Sequence, residues 1–269
     1  FTTMSTGGFS TLDSSVGGFD SAAVEYVIAC FMLIGSVNYG LYYGLIRTGN
    51  WRGLIRNIEF RSYVAIVVAA VALLTLLNLS VHKEVLSSFR YSFFMVATTI
   101  SSTGYGTDDY SAYSSTALTI VVLLMFVGGC SGSTAGGIKI ERAVLMGKQA
   151  VAQVQKSFRP ATVQLVRMGR ATISAQVLAD VASFFLIYMG CIAVGMLFVT
   201  VVDGVPVETA FGTMLTCLSN MGPAPFHVGP DNFAGYSAGS KLFFVLAMLL
   251  GRLEFFTLFA LILPEFWRR

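Results

Sequence analysis

The sequence predicts an all-α integral membrane fold, in which fused repeats of helix, pore helix, filter loop and helix surround a pseudo-fourfold pore axis. The first observation behind this prediction is composition: 55% of the 269 residues are hydrophobic and only 12% are charged, with a mean hydropathy of +0.73. A soluble core of this size needs far less apolar surface. The other two observations are a glycine-containing loop in the middle of the chain and a unit that recurs along it.

Five weakly charged stretches supply the predicted spanning helices. A bilayer span needs about 20 residues, and most of the stretches reach or approach that length. In chain order they are residues 21–46, 62–79, 114–127, 175–202 and 238–263. The third is short, so we expect its helix to break while it is still inside the membrane.

Basic residues are concentrated in a few places along the chain. Thirteen of the 17 Lys and Arg residues lie within residues 47–61, 139–170 and 268–269, and these stretches alternate with stretches rich in Asp and Glu. The positive-inside rule puts the basic stretches in the cytoplasm and the acidic loops near the outer face. A basic run is usually a solvated surface, so we expect membrane lipid and no nucleic acid as a partner.

The most informative loop lies in the middle of the chain. Residues 98–110 read TTISSTGYGTDDY, and their STGYG nearly reproduces the TVGYG loop whose backbone carbonyls replace the hydration shell of K⁺ in channels. Gly-Tyr-Gly also suits any turn that requires a positive φ. An ion pore is therefore the first hypothesis, and the surrounding sequence must support it.

One unit recurs along the chain: a span, a short pore helix, a loop that contains glycine, and an exit span. In that order the middle copy occupies residues 62–79, 85–100, 101–106 and 114–127. The last copy occupies residues 175–202, 206–218, 220–223 and 238–263, with Pro206 in the first turn of its pore helix. The opening copy keeps only its loop, residues 5–9, and its exit span. A segment of about 16 residues, such as 85–100, is too short to cross the bilayer and return, which indicates a re-entrant helix.

Each loop carries a glycine that we align with the others: Gly7, Gly104 and Gly222. Each exit span carries a further glycine, Gly35, Gly128 or Gly251, at which we expect the helix to break. Unpaired backbone is tolerated at membrane depth only where protein buries it or it lines a watery cavity, so the loops should meet on one axis. The predicted K⁺ ligands are filter carbonyls contributed by Ser5, Thr6, Gly7, Gly8, Ser102, Thr103, Gly104, Tyr105, Asn220, Met221, Gly222 and Pro223. A carbonyl ring needs about four contributors, and we expect the fourth upstream of Phe1.

Four strings resemble the Trk/Ktr/HKT superfamily of K⁺ transporters, and the resemblance covers essentially the whole chain. STGGFST at residues 5–11, SSTGYGTDDY at 101–110 and SNMGPAPF at 219–226 are similar to the second, third and fourth filters of that superfamily. FVGGCSGSTAGGIKIER at residues 126–142 is similar to its intramembrane gating loop.

The resemblance implies a particular organisation of the complete protein. Residues 1–56 would be the end of the second repeat, 57–160 the third repeat with the gating loop, and 161–269 the fourth. It further implies a homodimer in the bacterial inner membrane, with one pore per protomer and K⁺ or Rb⁺ as the transported ion. No covalent cofactor is expected, and a nucleotide is expected only on a cytoplasmic regulatory subunit. We therefore treat the chain as a fragment.

The glycine-rich loop, residues 127–137, has five glycines and three hydroxyl side chains where a span should still be in the membrane. A loop directly below the filter could obstruct the pathway, and its glycines would let it move between blocked and open arrangements. The alternative is a static kink or a close helix contact. The predicted gate residues in the loop are Gly128, Gly129, Ser131, Gly132, Ser133, Thr134, Gly136 and Gly137.

Arg252 completes the predicted gate from the last span. An ionised group at that depth is costly unless it faces a pore or has partners. We expect its guanidinium to donate to carbonyls of the glycine-rich loop or to limit cation flow by its charge; the alternative is a salt bridge with Asp180. Asp108, Asp109 and Asp231 follow the filters and could concentrate cations in an outer vestibule, although ordinary exposed loop acids would look the same.

Two other classes of function are weighed against a K⁺ pore. Residues 129–132 match the GxSG string of intramembrane serine proteases, but His82 and His227 are predicted to be exposed near the opposite surface, too far away to act as the base. We therefore expect no enzyme activity. A cation-coupled symporter of the same fold remains open, as does Na⁺ permeation, because in the superfamily a serine in the first filter accompanies Na⁺ transport.

Overall fold

The computed structural model describes residues 1–108, 112–159, 165–169, 171–222, 233–253, 255 and 264–267. Its helices are α1 (Ala22–Gly35), α2 (Tyr39–Thr48), α3 (Trp51–Arg56), α4 (Ile58–His82), α5 (Val85–Ile100), α6 (Ser115–Val127), α7 (Ile140–Phe158), α8 (Ala175–Asp203), α9 (Val207–Ser219), α10 (Ala238–Leu253) and α11 (Pro264–Trp267). Short 3-10 helices occupy Ser15–Phe19 and Phe233–Gly235. Strands β1 (Arg167–Met168) and β2 (Ala171–Thr172) form an antiparallel hairpin in which Arg167 faces Thr172.

Two helices in the described part of the chain are long and apolar enough to cross a membrane by themselves. They are α4, with 25 residues, and α8, with 29. Helices α1 and α2 pass the same test together but are bent by 88° at the break between them. The predicted span at residues 21–46 is thus a broken span, and its break follows Gly35 as expected.

Local sequence accounts for where the main helices begin. The side chain of Asn57 accepts from the amide of Phe60 at the start of α4, and Ser174 accepts from Val177 at the start of α8. Ser114 caps α6 in the same way. Such side chains accept hydrogen bonds from amides that have no partner within the helix. Helices α4, α6 and α8 therefore all begin with a polar N-cap residue.

The short helices α5 and α9 lie in the centre of the molecule. Helix α5 is enclosed by α1, α4 and α6, and α9 by α8, α10 and α6. Nearly all residues of their C-terminal halves are buried, including small polar residues such as Thr99, Thr213 and Thr216. The outer faces of α4 and α8 instead carry exposed Val and Leu. This arrangement agrees with two central pore helices, the first of which has the predicted bounds, surrounded by helices whose apolar faces meet lipid.

The predicted breaks at glycine are found at two of the three positions. Helix α1 ends at Gly35, and α6 ends at Val127, where Gly128 adopts a φ of 65°. The prediction for Gly251 is wrong, because α10 continues through it to Leu253. A Cβ at Gly251 would overlap the carbonyl oxygen of Leu218 at the end of α9. The glycine is therefore needed for a close approach of two helices rather than for a break.

Gly251→Ala is expected to lower the free energy of unfolding of the purified protein by about 1–3 kcal/mol, because the added methyl group cannot be accommodated against backbone. The matched control is Gly239→Ala near the start of α10, where the nearest heavy atom to a Cβ is 4.0 Å away. Thermal unfolding in detergent compares the two. Equal melting temperatures would contradict a tight contact between α10 and α9.

Candidate functional site

Three loops begin with the same backbone turn. We call them loop A (residues 5–9), loop B (residues 101–106) and loop C (residues 220–222). In each, one amide donates three residues back and the next amide donates five residues back, the pattern of a Schellman motif that ends a helix. The donor and acceptor pairs are Thr6 to Thr3 and Gly7 to Thr2 in loop A, Ser102 to Thr99 and Thr103 to Thr98 in loop B, and Asn220 to Cys217 and Met221 to Thr216 in loop C.

The turn fixes how the loops correspond. Its left-handed residue is Thr6, Ser102 or Asn220, with φ of 52°, 51° and 54°. Two residues further along come Gly8, Gly104 and Gly222, so the predicted alignment of Gly7 with the other two glycines is wrong by one residue. The predicted alignment used Gly7, the first glycine of the Gly7-Gly8 pair. The hydrogen bonds of the turn show that the second glycine, Gly8, is the equivalent residue.

The three loops meet at Thr103 and Gly104 of loop B. A Cβ at Gly8 would overlap the carbonyl oxygen of Thr103, and a Cβ at Gly222 would lie 3.1 Å from the carbonyl oxygen of Gly104. Loops A and C therefore both touch loop B through backbone. Segments about 100 residues apart in sequence are brought together, as expected of loops that share an axis.

Tyr105 joins loops A and B by its side chain. Its hydroxyl lies 2.6 Å from the hydroxyl of Thr2 and donates to the carbonyl of Phe9 at 3.2 Å. The next residue, Gly106, donates its amide to Ser15 and accepts from the amide of Gly17. Tyr105 and Gly106 thus bind loop B to the segment before α1, in addition to the backbone contact between Gly8 and Thr103.

The glycine-rich loop connects α6 to α7 without regular structure, as predicted. Backbone contacts close it on itself: the amide of Ile138 donates to Phe126, and that of Ile140 to Gly129. A Cβ at Gly128 would overlap the carbonyl oxygen of Gly136, so this closure requires glycine. Ser133 completes the turn by donating its hydroxyl to the carbonyl of Cys130 at 2.6 Å.

Polar contacts also fasten the glycine-rich loop to the break between α1 and α2. The amide of Cys130 donates to Ser36 at 2.9 Å, and the carbonyl of Gly132 accepts from Tyr39 at 3.1 Å. The amide of Ser131 donates to a side-chain oxygen of Glu59, at the first turn of α4. Glu59 is a site residue that the sequence analysis missed, although an acidic residue beside an apolar span was a visible signal.

The other side of the glycine-rich loop lies against the turn before loop A, the end of α1, loop B and the end of α9. The hydroxyl of Thr134 is 3.1 Å from the carbonyl oxygens of both Met4 and Gly35. The amide of Gly136 donates to Ser102 Oγ at 2.6 Å. A Cβ at Gly136 would be only 2.5 Å from the carbonyl oxygen of Ser219, the last residue of α9.

Arg252 reaches loop A rather than the glycine-rich loop. Its Nη2 donates to the carbonyl oxygen of Ser5 at 3.2 Å. The predicted bond to carbonyls of the glycine-rich loop is therefore wrong, and among the described residues Arg252 forms no ion pair with Asp180. The close packing of Gly251 on α9 sets the position from which the guanidinium extends.

Of the three Asp residues predicted to line the outer vestibule, Asp108 lies within the described residues. Asp108 is tied to the end of α4, because its Oδ2 lies 3.0 Å from His82 Nε2 and accepts from the hydroxyl of Tyr113 at 2.8 Å. His82 is stacked on Tyr91 and its side chain is only 12% exposed, which corrects the prediction that it is an exposed polar residue. The predicted site residues Asp109, Pro223 and Asp231, together with His227, lie outside the described residues.

A buried ion pair that was not predicted braces α5. Glu25 of α1 and Arg90 of α5 approach to 3.2 Å, and the side chain of Glu25 is 7% exposed. A charge inside an apolar span was again the only signal in the sequence. Breaking such a pair by removing one partner leaves the other charge buried and unpaired, so the pair ties the entrance of the central helix to its neighbour.

Ser131 is far from the described histidine. Ser131 contacts Glu59 at the start of α4, whereas His82 ends the same helix. Twenty-three residues of helix separate these two positions by about 34 Å at 1.5 Å per residue. The geometry required of a serine nucleophile and a histidine base is absent from the part of the chain that the structure describes.

The chain is similar to known transport proteins. The family profile described as "TrkH: Cation transport protein" matches residues 1–267. The Trk system potassium uptake protein TrkH of Salmonella typhimurium is 34% identical over 270 residues, which cover 100% of this chain and 56% of that protein. The Trk system potassium uptake protein TrkG of Escherichia coli is 32% identical over 99% of this chain and 55% of its own length. The chain thus spans about half the length of the curated relatives it matches.

A solved structure is also similar. The crystal structure of the potassium transporter TrkH from Vibrio parahaemolyticus matches with a TM-score of 0.93 and 30% identity, over 99% of this chain and 57% of that one. The all-helical membrane fold predicted from the sequence is therefore confirmed.

Gly8→Ala is expected to destabilise the purified protein more than Gly7→Ala. Gly8 has a φ of 67° and backbone directly against its Cβ position, whereas Gly7 meets only side-chain atoms at 3.3 Å and beyond. Melting temperatures in detergent test the order. A larger loss for Gly7→Ala would restore the alignment that pairs Gly7 with Gly104.

Proposed function

The chain belongs to the TrkH family of cation transport proteins, and from that premise we propose that the whole protein takes up K⁺, and Rb⁺ with it, through a filter of backbone carbonyls. The observation that carries the proposal is the meeting of loops A and C on loop B at Thr103 and Gly104. Three re-entrant turns placed edge to edge supply most of a carbonyl ring, which needs about four contributors.

Backbone chemistry supports a cation ligand at these loops. Among the described residues, the carbonyl oxygens of Gly8, Thr103 and Gly104 accept no hydrogen bond. Carbonyl oxygens that no protein donor occupies are free to replace the hydration shell of a cation. Gly8 and Gly104 have φ of 67° and 85°, which turns successive carbonyls in a way that other residues rarely adopt. A dehydrated alkali ion is the proposed ligand of these oxygens.

The glycine-rich loop is the proposed gate. It lies against loops A and B and the end of α9, so a cation leaving the loops inward would meet it. Gly128, Gly132 and Gly137 have φ of 65°, 69° and 81°, and glycine can change between positive and negative φ at little cost. Arg252 adds a fixed positive charge beside the Ser5 carbonyl, where it competes with a cation for the same oxygen.

The wider organisation follows the superfamily. We assign residues 1–56 to the end of a second repeat, 57–160 to a third and 161–269 to a fourth. The proposed complete protein is a homodimer of the bacterial inner membrane, regulated by a cytoplasmic nucleotide-binding subunit, with Asp108, Asp109 and Asp231 in its outer vestibule.

Uptake of ⁸⁶Rb⁺ by liposomes that contain the complete protein tests the function. Uptake driven by the K⁺ gradient alone supports a channel-like pathway, whereas dependence on a H⁺ or Na⁺ gradient would favour a symporter.

Gly104→Ala is expected to lower K⁺ flux and the ratio of K⁺ to Na⁺ permeability, because its backbone has a φ of 85° that alanine resists. Gly106→Ala is the matched control two residues away: no atom lies within 4 Å of its Cβ position, and its φ is not in the left-handed region. Reversal potentials in mixed K⁺ and Na⁺ solutions provide the measurement. Equal behaviour of the two variants would contradict a filter at loop B.

Arg252→Ala is expected to raise K⁺ flux several-fold while the K⁺ to Na⁺ ratio stays unchanged, since it removes a charge beside the pathway and leaves the carbonyl ring intact. Arg252→Lys keeps the charge without the planar guanidinium and should give an intermediate flux. Initial rates of ⁸⁶Rb⁺ uptake distinguish the variants. A flux equal to that of the wild type would remove Arg252 from the mechanism.

A further inference from the structure

Two residues in the loops of the proposed filter have a backbone conformation that their side chains disfavour. Thr6 and Ser102 have φ of 52° and 51°. A β-branched residue such as Thr is a genuine outlier in the left-handed region, and such a residue costs about 1–3 kcal/mol unless its surroundings compensate. Glycine or asparagine is usual at this position of a Schellman turn, and loop C has Asn220 there. The hydroxyl side chains in loops A and B therefore need an explanation.

The backbone turn does not need these hydroxyls. In both loops the two hydrogen bonds that define the turn join a backbone amide to a backbone carbonyl. Glycine at either position would keep those bonds and relieve the strain. What glycine would lose is the side-chain contact, so the effect of the hydroxyl is separable from the effect of the turn.

Both hydroxyls contact the same short segment of the glycine-rich loop. Thr6 Oγ1 is 2.7 Å from the carbonyl oxygen of Thr134 and shares its proton with the carbonyl of Ser5 at 2.8 Å. Ser102 Oγ accepts from the amide of Gly136 at 2.6 Å. The side chains of Thr6 and Ser102 are almost completely buried, so water does not compete for these bonds.

The third equivalent residue borders the same segment. A Cβ at Gly136 would lie 3.3 Å from Cβ of Asn220. The loop also returns a contact, because the Thr134 hydroxyl is 3.1 Å from the carbonyl oxygen of Met4, two residues before Thr6. Residues 134–136 thus rest on the left-handed corner of each of the three turns.

We propose that Thr6 and Ser102 are positioning residues, whose hydroxyl groups hold residues 134–136 of the glycine-rich loop beneath the filter and so keep the pathway obstructed at rest. The inference depends on the proposed function. Thr6 directly precedes Gly7 in loop A, and Ser102 directly precedes Thr103 in loop B. One hydrogen bond per loop therefore transmits a movement of the glycine-rich loop to the backbone of the proposed filter. Opening requires both bonds to break.

The test replaces the two hydroxyls by glycine in the complete protein: Thr6→Gly, Ser102→Gly and both together. Resting uptake of ⁸⁶Rb⁺ should rise several-fold in each single variant and further in the double variant, with the K⁺ to Na⁺ permeability ratio unchanged. Thr6→Ser and Ser102→Thr retain a hydroxyl and should therefore raise resting uptake less than the corresponding glycine variants. Resting uptake equal to that of the wild type in both glycine variants would overturn the proposal, as would a changed permeability ratio without a rise in uptake.

Hydrogen–deuterium exchange gives a readout that does not depend on transport. The amide of Gly136 loses its acceptor in Ser102→Gly, so peptides that cover residues 128–139 should exchange faster, while peptides from α8 are unchanged. Slow exchange of the loop in both glycine variants overturns the proposal whatever the uptake data show. If the wild type itself takes up no ⁸⁶Rb⁺, the proposed function fails, and exchange still decides whether the hydroxyls hold the loop.

Thr134→Val supplies a reciprocal variant of nearly equal shape. It removes the bonds from the Thr134 hydroxyl to Met4 and Gly35 and leaves the Thr134 carbonyl that Thr6 contacts. It should raise resting uptake, and its combination with Thr6→Gly should give less than the product of the two single effects, because both release one segment. Independent effects would contradict a shared contact.

Discussion

The structure depends on one constraint: a peptide group that leaves a helix at membrane depth must find another partner or face a cavity. Loops A, B and C meet it with the same turn, in which two amides bond back to the preceding helical segment. The glycine-rich loop meets it with bonds to Ser36, Glu59 and Ser102, which belong to three different parts of the chain. Irregular backbone is therefore concentrated at one place, where each segment supplies what the others need.

Two glycines outside the loops are required by close contacts with the backbone of the turns. A Cβ at Gly35 would lie 3.1 Å from the carbonyl oxygen of Met4, and a Cβ at Gly251 would overlap that of Leu218. Met4 and Leu218 each lie two residues before the left-handed residue of their turn. In α1 and in α10, a glycine thus packs against the carbonyl at the same position of a turn. Helix α1 ends at this glycine, whereas α10 continues past it. This correspondence supports a division of the chain into repeats.

Charged residues are few in this apolar chain, and the described ones near the centre brace the short helices. Glu25 pairs with Arg90 of α5, His82 contacts Asp108 beyond loop B, and Arg252 donates to loop A. Each of these contacts connects α1, α4 or α10 to the short helix α5 or to a loop. Because a charge in such surroundings is costly without a partner, these contacts select one arrangement of α1, α4, α5 and α10 around the loops.

The sequence alone determined the class of fold, the helix α5 to its end residues, the breaks after Gly35 and Val127, and which strings form loops. These features depend on hydrophobicity along the chain and on turn residues, which are local properties. Tertiary structure decided that Gly8 rather than Gly7 corresponds to Gly104, that Arg252 bonds to Ser5, and that Gly251 serves a helix contact. Each of these depends on which backbone atom of a distant segment lies within about 3 Å, and hydrogen bonding over such short distances is fixed only when the helices have packed.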